Sequence, residues 1–253
     1  MLRLVDVNKS FGDKKVLKNI NLTIKDGETL ALIGGSGSGK STLLRLMIGL
    51  DRPTSGEIWV DDTEISRLSE EELDEVRLSM GMVFQYSALF DSMTVGDNVA
   101  FGLREHTDYT EDEIQKIVEE KLALVGLPDA AGMMPSELSG GMKKRVSLAR
   151  AIAFEPSIIF YDEPDSGLDP VITQKIDDLI RQTQKALGVT SVVVTHDMES
   201  ACLVADRIAM IYEGELIADE PVESFRRLKD PRVRAFLRGL ALDDKENVGG
   251  NGK

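Results

Sequence analysis

The residues from Gly34 to Ser41 read GGSGSGKS, so that a lysine and a hydroxyl side chain directly follow a glycine-rich run. Glycines let the backbone fold back until successive N–H groups point inward and bind phosphate oxygens. The run follows the apolar segment Thr29–Ile33 and precedes a helical pattern at Thr42–Ile48, the strand–loop–helix setting that gives G-x-x-x-x-G-K-[ST] its meaning. Lys40 supplies a charge for the outer phosphates, and Ser41 a hydroxyl for Mg²⁺. This pattern favours a nucleoside triphosphate site over an ordinary glycine turn, and the predicted binding residues are Gly34, Gly35, Ser36, Gly37, Ser38, Gly39, Lys40, Ser41 and Thr42.

Two acidic residues end a second apolar run, Ser157–Tyr161. In enzymes with a phosphate loop, an acid at the end of such a strand holds the Mg²⁺ shell, and here that residue is Asp162. Glu163 is then placed to orient or deprotonate the attacking water. The alternative is a solvated strand end without chemistry, and the upstream phosphate loop favours the catalytic interpretation.

The segment Leu138–Met142 reads LSGGM and opens a helical pattern. Ser139 can cap that helix, while Gly140 and Gly141 let the backbone approach a ligand closely. Because a helix N-terminus attracts anions, the segment can form a second phosphate-binding surface. The alternative is a capped helix and nothing more.

Composition limits the classes of function. The chain has 253 residues and a formal net charge of −14, which argues against broad electrostatic binding to nucleic acid or to an anionic membrane surface. There is no N-terminal signal pattern, and no apolar run approaches the roughly 20 residues that span a bilayer as a helix. We therefore expect a soluble chain that reaches a membrane only through a partner.

Strands and helices must position these motifs. Alternating strand patterns at Leu2–Val7 and Leu17–Ile24 come first, with Gly12-Asp13 as the turn between them. The pattern becomes helical from about residue 87 to residue 153, and strands of parallel type return at Ile158–Tyr161 and Ser191–Thr195. We predict a nucleotide-binding domain over residues 1–240 with this helical subdomain inserted, and a disordered tail over residues 241–253.

Taken together, the motifs resemble those of the nucleotide-binding subunit of an ABC transporter. GGSGSGKS resembles the Walker A loop, IIFYDE the Walker B strand, and LSGGM the family signature, with Met142 where the family usually has glutamine. The motifs occur in the family's order and cover nearly the whole chain. The fold class implied is α/β: a phosphate-loop NTPase core of the ABC ATPase type, with a mostly parallel sheet, an N-terminal antiparallel β part and an inserted helical subdomain.

Single residues extend the resemblance. Gln85 after Val83-Phe84 looks like the Q-loop, Ser166–Asp169 like the D-loop, and His196 like the switch histidine. Phe11 stands where the family often has an aromatic ring that stacks on adenine. Each of these residues also has an alternative without chemistry: a surface turn for Gln85, a solvated histidine at a helix N-terminus for His196, and a core aromatic for Phe11.

The resemblance implies an ATPase mechanism. Lys40 and the loop amides hold the β- and γ-phosphates of ATP, and Glu163 and His196 act on the water and the γ-phosphate. Mg²⁺ is served, directly or through water, by Ser41, Gln85 and Asp162. Ser139, Gly140 and Gly141, together with Asp169 of the D-loop, complete the nucleotide site. Because Ser139 and Gly141 close over the γ-phosphate held by the other subunit, the resemblance implies a head-to-tail dimer of two copies with two ATP molecules.

A finer resemblance is to ATPases of Mce-type lipid transport, the phospholipid-trafficking Mla group. It covers Leu138–Ile152, Phe84–Thr107 and Asp230–Leu237. It implies a lipid substrate, an integral membrane permease, an Mce-type substrate-binding protein and a place on the cytoplasmic face of the inner membrane, without nucleic acid. The alternatives are an ABC importer or exporter ATPase for another substrate, or a soluble ABC ATPase without a transport role.

Two apolar patterns suggest contact surfaces. The segment Ser87–Phe101 carries apolar side chains that either receive a helix of the permease or pack the core of the helical subdomain. In Arg232–Leu240, apolar residues recur at helical spacing. Our hypothesis is that this late helix docks on the neighbouring subunit, and the alternative is that it docks on its own domain.

Overall fold

The structure is a computed structural model in which residues 1–238 are described. Its strands, in chain order, are β1 (Leu2–Phe11), β2 (Lys14–Ile24), β3 (Thr29–Ile33), β4 (Ser55–Val60), β5 (Thr63–Glu64), β6 (Met80–Val83), β7 (Ile158–Asp162), β8 (Thr190–Val194), β9 (Arg207–Tyr212) and β10 (Glu215–Pro221). Its α-helices are α1 (Lys40–Met47), α2 (Glu70–Arg77), α3 (Val95–His106), α4 (Glu111–Leu124), α5 (Gly140–Ala151), α6 (Pro170–Leu187), α7 (Met198–Val204), α8 (Val222–Phe225) and α9 (Pro231–Leu237).

The strands form two sheets. The larger, six-stranded sheet has the order β10-β9-β3-β8-β7-β6, in which β9, β3, β8, β7 and β6 run parallel and β10 pairs antiparallel with β9. The smaller sheet has the order β2-β1-β4-β5 and is antiparallel. The predicted α/β class, with a mostly parallel sheet and an N-terminal antiparallel part, is confirmed.

The large sheet separates two apolar clusters. On β7, Ile158 and Phe160 lie in the cluster that contains α1 and the small sheet, whereas Ile159 and Tyr161 lie in the cluster formed with α3 to α6. This alternation follows from the period of two along a strand. Because both faces are covered, these strands read as continuous apolar runs in the sequence.

Helices α3, α4 and α5 lie within residues 87–153, the range predicted for the inserted subdomain. Their starts are set by side chains that accept hydrogen bonds from otherwise unpaired backbone N–H groups. Thr94 caps α3 and Ser139 caps α5, while Thr110 and Glu113 form a capping box at the start of α4. The boundaries of the domain and subdomain stay a prediction.

Strand β1 is longer than the alternation predicted, because it continues beyond Val7 to Phe11. Its pairing with β2 shifts register between Leu4 and Val7 and again before Lys9, and Asp6 has a φ of 47°. Such bulges interrupt the alternation of apolar and polar side chains while the strand continues. The alternation in the sequence therefore ended at Val7, before the end of the strand.

The late helix packs on its own domain through Val233, as the alternative held, and docking of its remaining apolar surface on a neighbouring copy stays a prediction. Val233 on α9 is fully buried within the single chain, in a cluster with Phe225, Ala201 and Met210. Leu240, the end of the predicted helix, and the predicted disordered tail 241–253 lie outside the described residues. Over residues 1–238, no helix has both the length and the apolar character needed to cross a bilayer.

Candidate functional site

The phosphate loop connects β3 to α1. Helix α1 starts at Lys40, directly after Gly39 with a φ of 112°, and has neither a side-chain cap nor an acidic residue in its first turn. Its first N–H groups therefore face the loop without a side-chain partner, the arrangement that binds phosphate. The glycines are required here: a Cβ on Gly34 would lie 2.2 Å from the carbonyl oxygen of Ile211, and one on Gly39 would lie 2.7 Å from Leu17.

Lys40 is folded over this loop. Its ammonium donates to the carbonyl oxygens of Gly34 at 2.8 Å and Gly35 at 3.1 Å. Burial lowers the pKa of Lys40, and the negative charges of Glu163 and Asp162 act in the opposite direction. Since both carboxylates act on this ammonium, the loop and the end of β7 share one site.

The remaining residues of the phosphate loop have hydrogen-bond donors that differ in burial. The hydroxyl of Ser38 is buried and has no hydrogen-bond partner within the described part of the chain. Buried polar atoms are rarely left unpaired, so this donor fits an anion in the loop. Ser36, Gly37 and Ser41 are exposed, and Thr42 is half-buried.

The end of β7 turns its two acids in different directions. Asp162 is half-buried; burial raises the pKa of its carboxyl, as does the neighbouring charge of Glu163, while Lys40 and Lys144 oppose the shift. Glu163 has a φ of 44°, a left-handed conformation that costs a β-carbon-bearing residue about 1–2 kcal/mol. Its N–H donates to the carbonyl oxygen of Val194 at 2.9 Å, so β8 holds this turn in place.

The Glu163 carboxylate is contacted on both oxygens. The side-chain amide of Gln85 donates to Glu163 Oε2 at 3.0 Å and to Ser166 Oγ at 3.2 Å. On the other side, His196 Nδ1 lies 3.5 Å from Glu163 Oε1, with the histidine side chain 63% exposed. The structure thus brings together Gln85, Glu163 and His196, and the surface-turn interpretation of Gln85 is wrong because the residue is half-buried and bonded.

The three predicted metal ligands offer the chemistry that Mg²⁺ prefers. Ser41 has a hydroxyl, Asp162 a carboxylate, and Gln85 an amide oxygen that is left over because its nitrogen is already bonded. These are hard oxygen donors. Among the described residues, no group of three or more His, Cys, Asp or Glu side chains could hold a metal ion by itself. The set therefore suits an ion that is held partly by substrate phosphates.

Phe11 lies on the surface, so its interpretation as a core aromatic is wrong. Its side chain is 52% exposed, and the Lys9 ammonium lies 4.7 Å from its ring centroid. It ends β1, at the turn into β2, and β2 approaches the phosphate loop through Leu17, next to Gly39. A free aromatic face is therefore presented by the hairpin that packs on the loop.

The Ser139–Gly141 segment is built for close packing at the start of α5. The Ser139 hydroxyl accepts the N–H of Met142 at 3.3 Å, and a Cβ on Gly141 would lie 2.7 Å from Ile172. Asp169 caps α6 by accepting the N–H groups of Val171 and Ile172. Over residues 1–238, no hydrogen bond or ion pair joins Ser139–Gly141 to the phosphate loop of the same chain.

Sequence reasoning missed two contacts in the site. Ser166, in the predicted D-loop, accepts the second hydrogen bond of Gln85. Lys144 is 6% exposed and donates to the carbonyl oxygens of Gln85 and Glu163. The sequence carried no signal for this burial, because a lysine normally lies on the surface.

Comparisons with known proteins agree with the interpretation of these motifs. The ABC transporter family model matches residues 17–166. The intermembrane phospholipid transport system ATP-binding protein MlaF of Haemophilus influenzae is 47% identical over 228 residues, which cover 90% of this chain and 86% of that protein. The probable ribonucleotide transport ATP-binding protein mkl of Mycobacterium bovis is 46% identical over 241 residues, covering 94% of this chain and 67% of that protein.

Solved structures give the same result for the fold. A dimeric structure of the ATP-binding cassette MJ0796, in a post-hydrolysis state bound to ADP and Pi, superposes with a TM-score of 0.80 at 36% identity. The match covers 88% of this chain and 99% of that chain. The arrangement of sheets and helices is therefore shared over nearly the whole of that cassette.

Proposed function

Because this chain belongs to the ABC transporter family, as its motifs predicted, we propose that it is the ATP-hydrolysing subunit of a phospholipid transporter. Two copies bind two ATP molecules between them, and hydrolysis drives lipid movement through a separate membrane permease. The observation that carries the proposal is the Glu163 carboxylate, held between Gln85 and His196 next to the Lys40 ammonium.

Hydrolysis requires water to attack the γ-phosphorus. Glu163 orients that water and accepts its proton as the new oxygen–phosphorus bond forms and the bond to the bridging oxygen of ADP breaks. Lys40, the N–H groups of the loop and His196 stabilise the charge on the γ-phosphate oxygens. Phe11 stacks on adenine. Ser41, Gln85 and Asp162 would hold Mg²⁺, which would neutralise part of the phosphate charge.

Dimerisation completes the site. The chain has one copy of each motif, and Ser139–Gly141 has no bond to the phosphate loop of its own chain in the described range. In the proposed head-to-tail dimer, Ser139, Gly140, Gly141 and Asp169 meet the ATP held by the second copy. The Ser139 side chain accepts the N–H of Met142. The glycine N–H groups at the start of α5 are not paired by this cap, so they can donate hydrogen bonds to the γ-phosphate.

Permease binding is proposed for the apolar surface beside Gln85. Phe84 is 39%, Tyr86 86%, Phe90 42% and Phe101 37% exposed, and the rings of Phe90 and Phe101 are 4.9 Å apart. Val95 and Val99, by contrast, are buried in the subdomain core. Part of the segment Ser87–Phe101 therefore packs the core, and we propose that its exposed part binds the permease. Exposed aromatic clusters of this kind mark binding sites for partner helices.

The phospholipid substrate rests on similarity to the Haemophilus protein. We propose the same cargo class here, delivered by an Mce-type substrate-binding protein, with this chain on the cytoplasmic face of the inner membrane. A second candidate cargo is a ribonucleotide, favoured by the similarity to the mycobacterial protein. A soluble ABC ATPase without a transport role is the third alternative, against which the net charge of −14 weighs for nucleic acid partners.

One experiment separates these candidates. The tagged chain is purified from detergent-solubilised membranes, its partners are identified, and the complex is placed in vesicles with fluorescent phospholipid. We expect ATP-dependent phospholipid movement that Glu163→Gln abolishes. Movement of ribonucleotides without lipid movement would favour the second candidate, and co-purification of RNA without membrane proteins would favour the third.

A further inference from the structure

Helix α5 carries a buried cation that the hydrolytic roles above do not use. Lys144 is 6% exposed, and its ammonium donates to the carbonyl oxygen of Gln85 and, at 3.4 Å, to that of Glu163. Burying an ammonium is unfavourable unless hydrogen bonds and opposite charges compensate. Burial lowers the pKa of Lys144, and the negative charges of Asp165, Asp162 and Glu163 oppose that change. These three carboxylates thus favour the charged form of Lys144 against the effect of burial.

The carbonyl oxygen of Glu163 belongs to a backbone position that needs support from its neighbours. Glu163 is in the left-handed region, with a φ of 44°, and such residues persist only where neighbours over-determine them. Its N–H is bound by Val194 on β8, and its carbonyl by Lys144 on α5. The peptide units on both sides of the Glu163 α-carbon are therefore held, which sets the direction of its Cα–Cβ bond.

The segment after Gln85 is held by the same helix. Ser87 and Ala88 have φ angles of 63° and 47°, and their carbonyl oxygens accept hydrogen bonds from Arg150 at 2.9 Å and 2.7 Å. With Lys144 on the Gln85 carbonyl, two cations of α5 bind three carbonyls of residues 85–88. This segment is consequently attached to α5.

We propose that Lys144 is a positioning residue for ATP hydrolysis: its ammonium ties the backbones of Gln85 and Glu163 to α5, so that the helix beginning with Ser139–Gly141 controls where the Glu163 carboxylate points. The inference rests on the proposed role of Glu163. It gives α5 a physical connection between the segment that meets the second copy's ATP and the group that acts on water.

The test is steady-state ATP hydrolysis by the full-length chain in its purified complex. Lys144→Met removes the ammonium but keeps an unbranched apolar stem, and we expect kcat to fall about tenfold or more, with KM for ATP within about twofold. Lys144→Arg, which keeps a donor cation, is expected to recover most of the loss. Lys143→Met is the matched control, because the Lys143 side chain makes no hydrogen bond or ion pair within residues 1–238.

A second measurement separates positioning from general structural support. Lys144→Met is combined with Gln85→Ala, and melting temperature and ATP affinity are recorded for every variant. If Lys144 acts through Gln85 and Glu163, the double variant loses much less than the product of the two single losses. If Lys144→Met does not fold, Lys144→Gln, which keeps a neutral donor, replaces it with an expected loss of about threefold or more.

Two outcomes overturn the inference: a Lys144→Met kcat within twofold of the unmodified chain at unchanged ATP affinity, or losses that multiply fully in the double variant. Its failure is distinguishable from failure of the proposed function. If Glu163→Gln hydrolyses ATP normally, the proposed site is wrong. If Glu163→Gln is inactive while Lys144→Met is fully active, only the role of Lys144 is wrong.

Discussion

At the scale of residues, the decisive feature is that several side chains lie close together, although none of them alone would identify the function of the site. Glu163 is bonded by Gln85 and approached by His196, and its charge acts on Lys40 across the site. Each contact alone is ordinary. Together they place a proton acceptor, a phosphate-binding cation and an amide oxygen where the terminal phosphate of ATP is expected to lie.

Replacing the carboxylate tests the central role. Glu163→Gln is expected to keep ATP binding but to slow phosphate release by about 10²–10⁴-fold, because an amide cannot accept the proton of the attacking water. Phosphate release and calorimetric ATP binding are the measurements. Glu199→Gln, at an exposed position on α7, is the control. Near-normal turnover in Glu163→Gln would contradict the assignment.

Phe11 can be tested without disturbing the fold, because its side chain is 52% exposed. Phe11→Ala is expected to weaken ATP binding by about 1–3 kcal/mol, the usual worth of a base stacked on an aromatic ring. Phe11→Trp keeps the stacking face and should bind ATP normally. Tyr109→Ala, at an equally exposed aromatic, is the matched control. An unchanged dissociation constant in Phe11→Ala would remove the adenine contact.

The phosphate loop was predictable residue by residue because its chemistry is local: the glycines, Lys40 and Ser41 are consecutive and need only the adjoining strand and helix. Lys144 was not predictable, because a lysine normally lies on the surface and only the packing of α5 on the acidic end of β7 buries it. Gln85 and Glu163 are 78 residues apart, so their hydrogen bond depended on the pairing of β6 with β7.

At the scale of elements, α6 and α7 are joined by a buried carboxyl. Asp177 is 4% exposed and accepts a hydrogen bond from the Ser200 hydroxyl at 2.8 Å. Burial raises the pKa of Asp177 to about 6; the charges of Asp165, Asp197 and Asp178 add to the effect, and the bond from Ser200 opposes it. The contact between the two helices therefore includes a group that titrates near neutral pH.

This carboxyl makes stability depend on pH. Its pKa in the folded chain, about 6, exceeds the ordinary value of 3.8, so the folded state binds the proton more tightly. Ionisation above pH 6 therefore destabilises the fold, and this penalty disappears as the pH falls below the ordinary value. Asp177→Asn, which cannot ionise, is expected to raise the free energy of unfolding at pH 7.5 by about 1–3 kcal/mol.

Urea unfolding at pH 7.5 and pH 4.5 measures the effect. The gain from Asp177→Asn should shrink markedly at the lower pH, while Asp129→Asn, at an exposed position, should change little at either pH. An equal gain at both values would mean that packing, rather than ionisation, accounts for the difference.

The late helix illustrates what an apolar pattern leaves open. The spacing of Val233, Phe236 and Leu237 predicted an apolar helix face, and α9 has one. Periodicity identifies the face but not the surface that covers it. Here Phe225 and the end of the large sheet pack against the apolar face of α9 within the same chain. No local sequence pattern predicts this packing.

At the scale of the whole molecule, charge and motif count bear on assembly. Each copy carries a formal charge of −14, so two copies repel each other unless salt or ligand charges intervene. Exposed acids crowd the first turns of α2 and α4, with Glu70, Glu71 and Glu72 on the former. Assembly of the proposed dimer must overcome this repulsion.

Salt is therefore expected to promote assembly. With the Glu163→Gln variant and ATP, the dimer fraction in sedimentation equilibrium should increase as ionic strength rises from 0.01 to 0.15 M, because the screening length falls from about 30 Å to about 8 Å. Samples without ATP serve as the control and should remain monomeric. A dimer that dissociates as salt is added would show that attractive ion pairs dominate the interface.

The alternation of β7 between two apolar clusters has a consequence for how such a protein can diversify. Exchanging Ile159 for another apolar side chain repacks only the helical side, whereas exchanging Phe160 repacks only the side that contains α1. The helical side can thus be repacked without disturbing the side that contains the phosphate loop, provided that α5 keeps Ser139–Gly141 and Lys144. A chimaera with a borrowed helical half should retain ATP turnover if the borrowed α5 has these residues at the same positions, and phosphate release measures it.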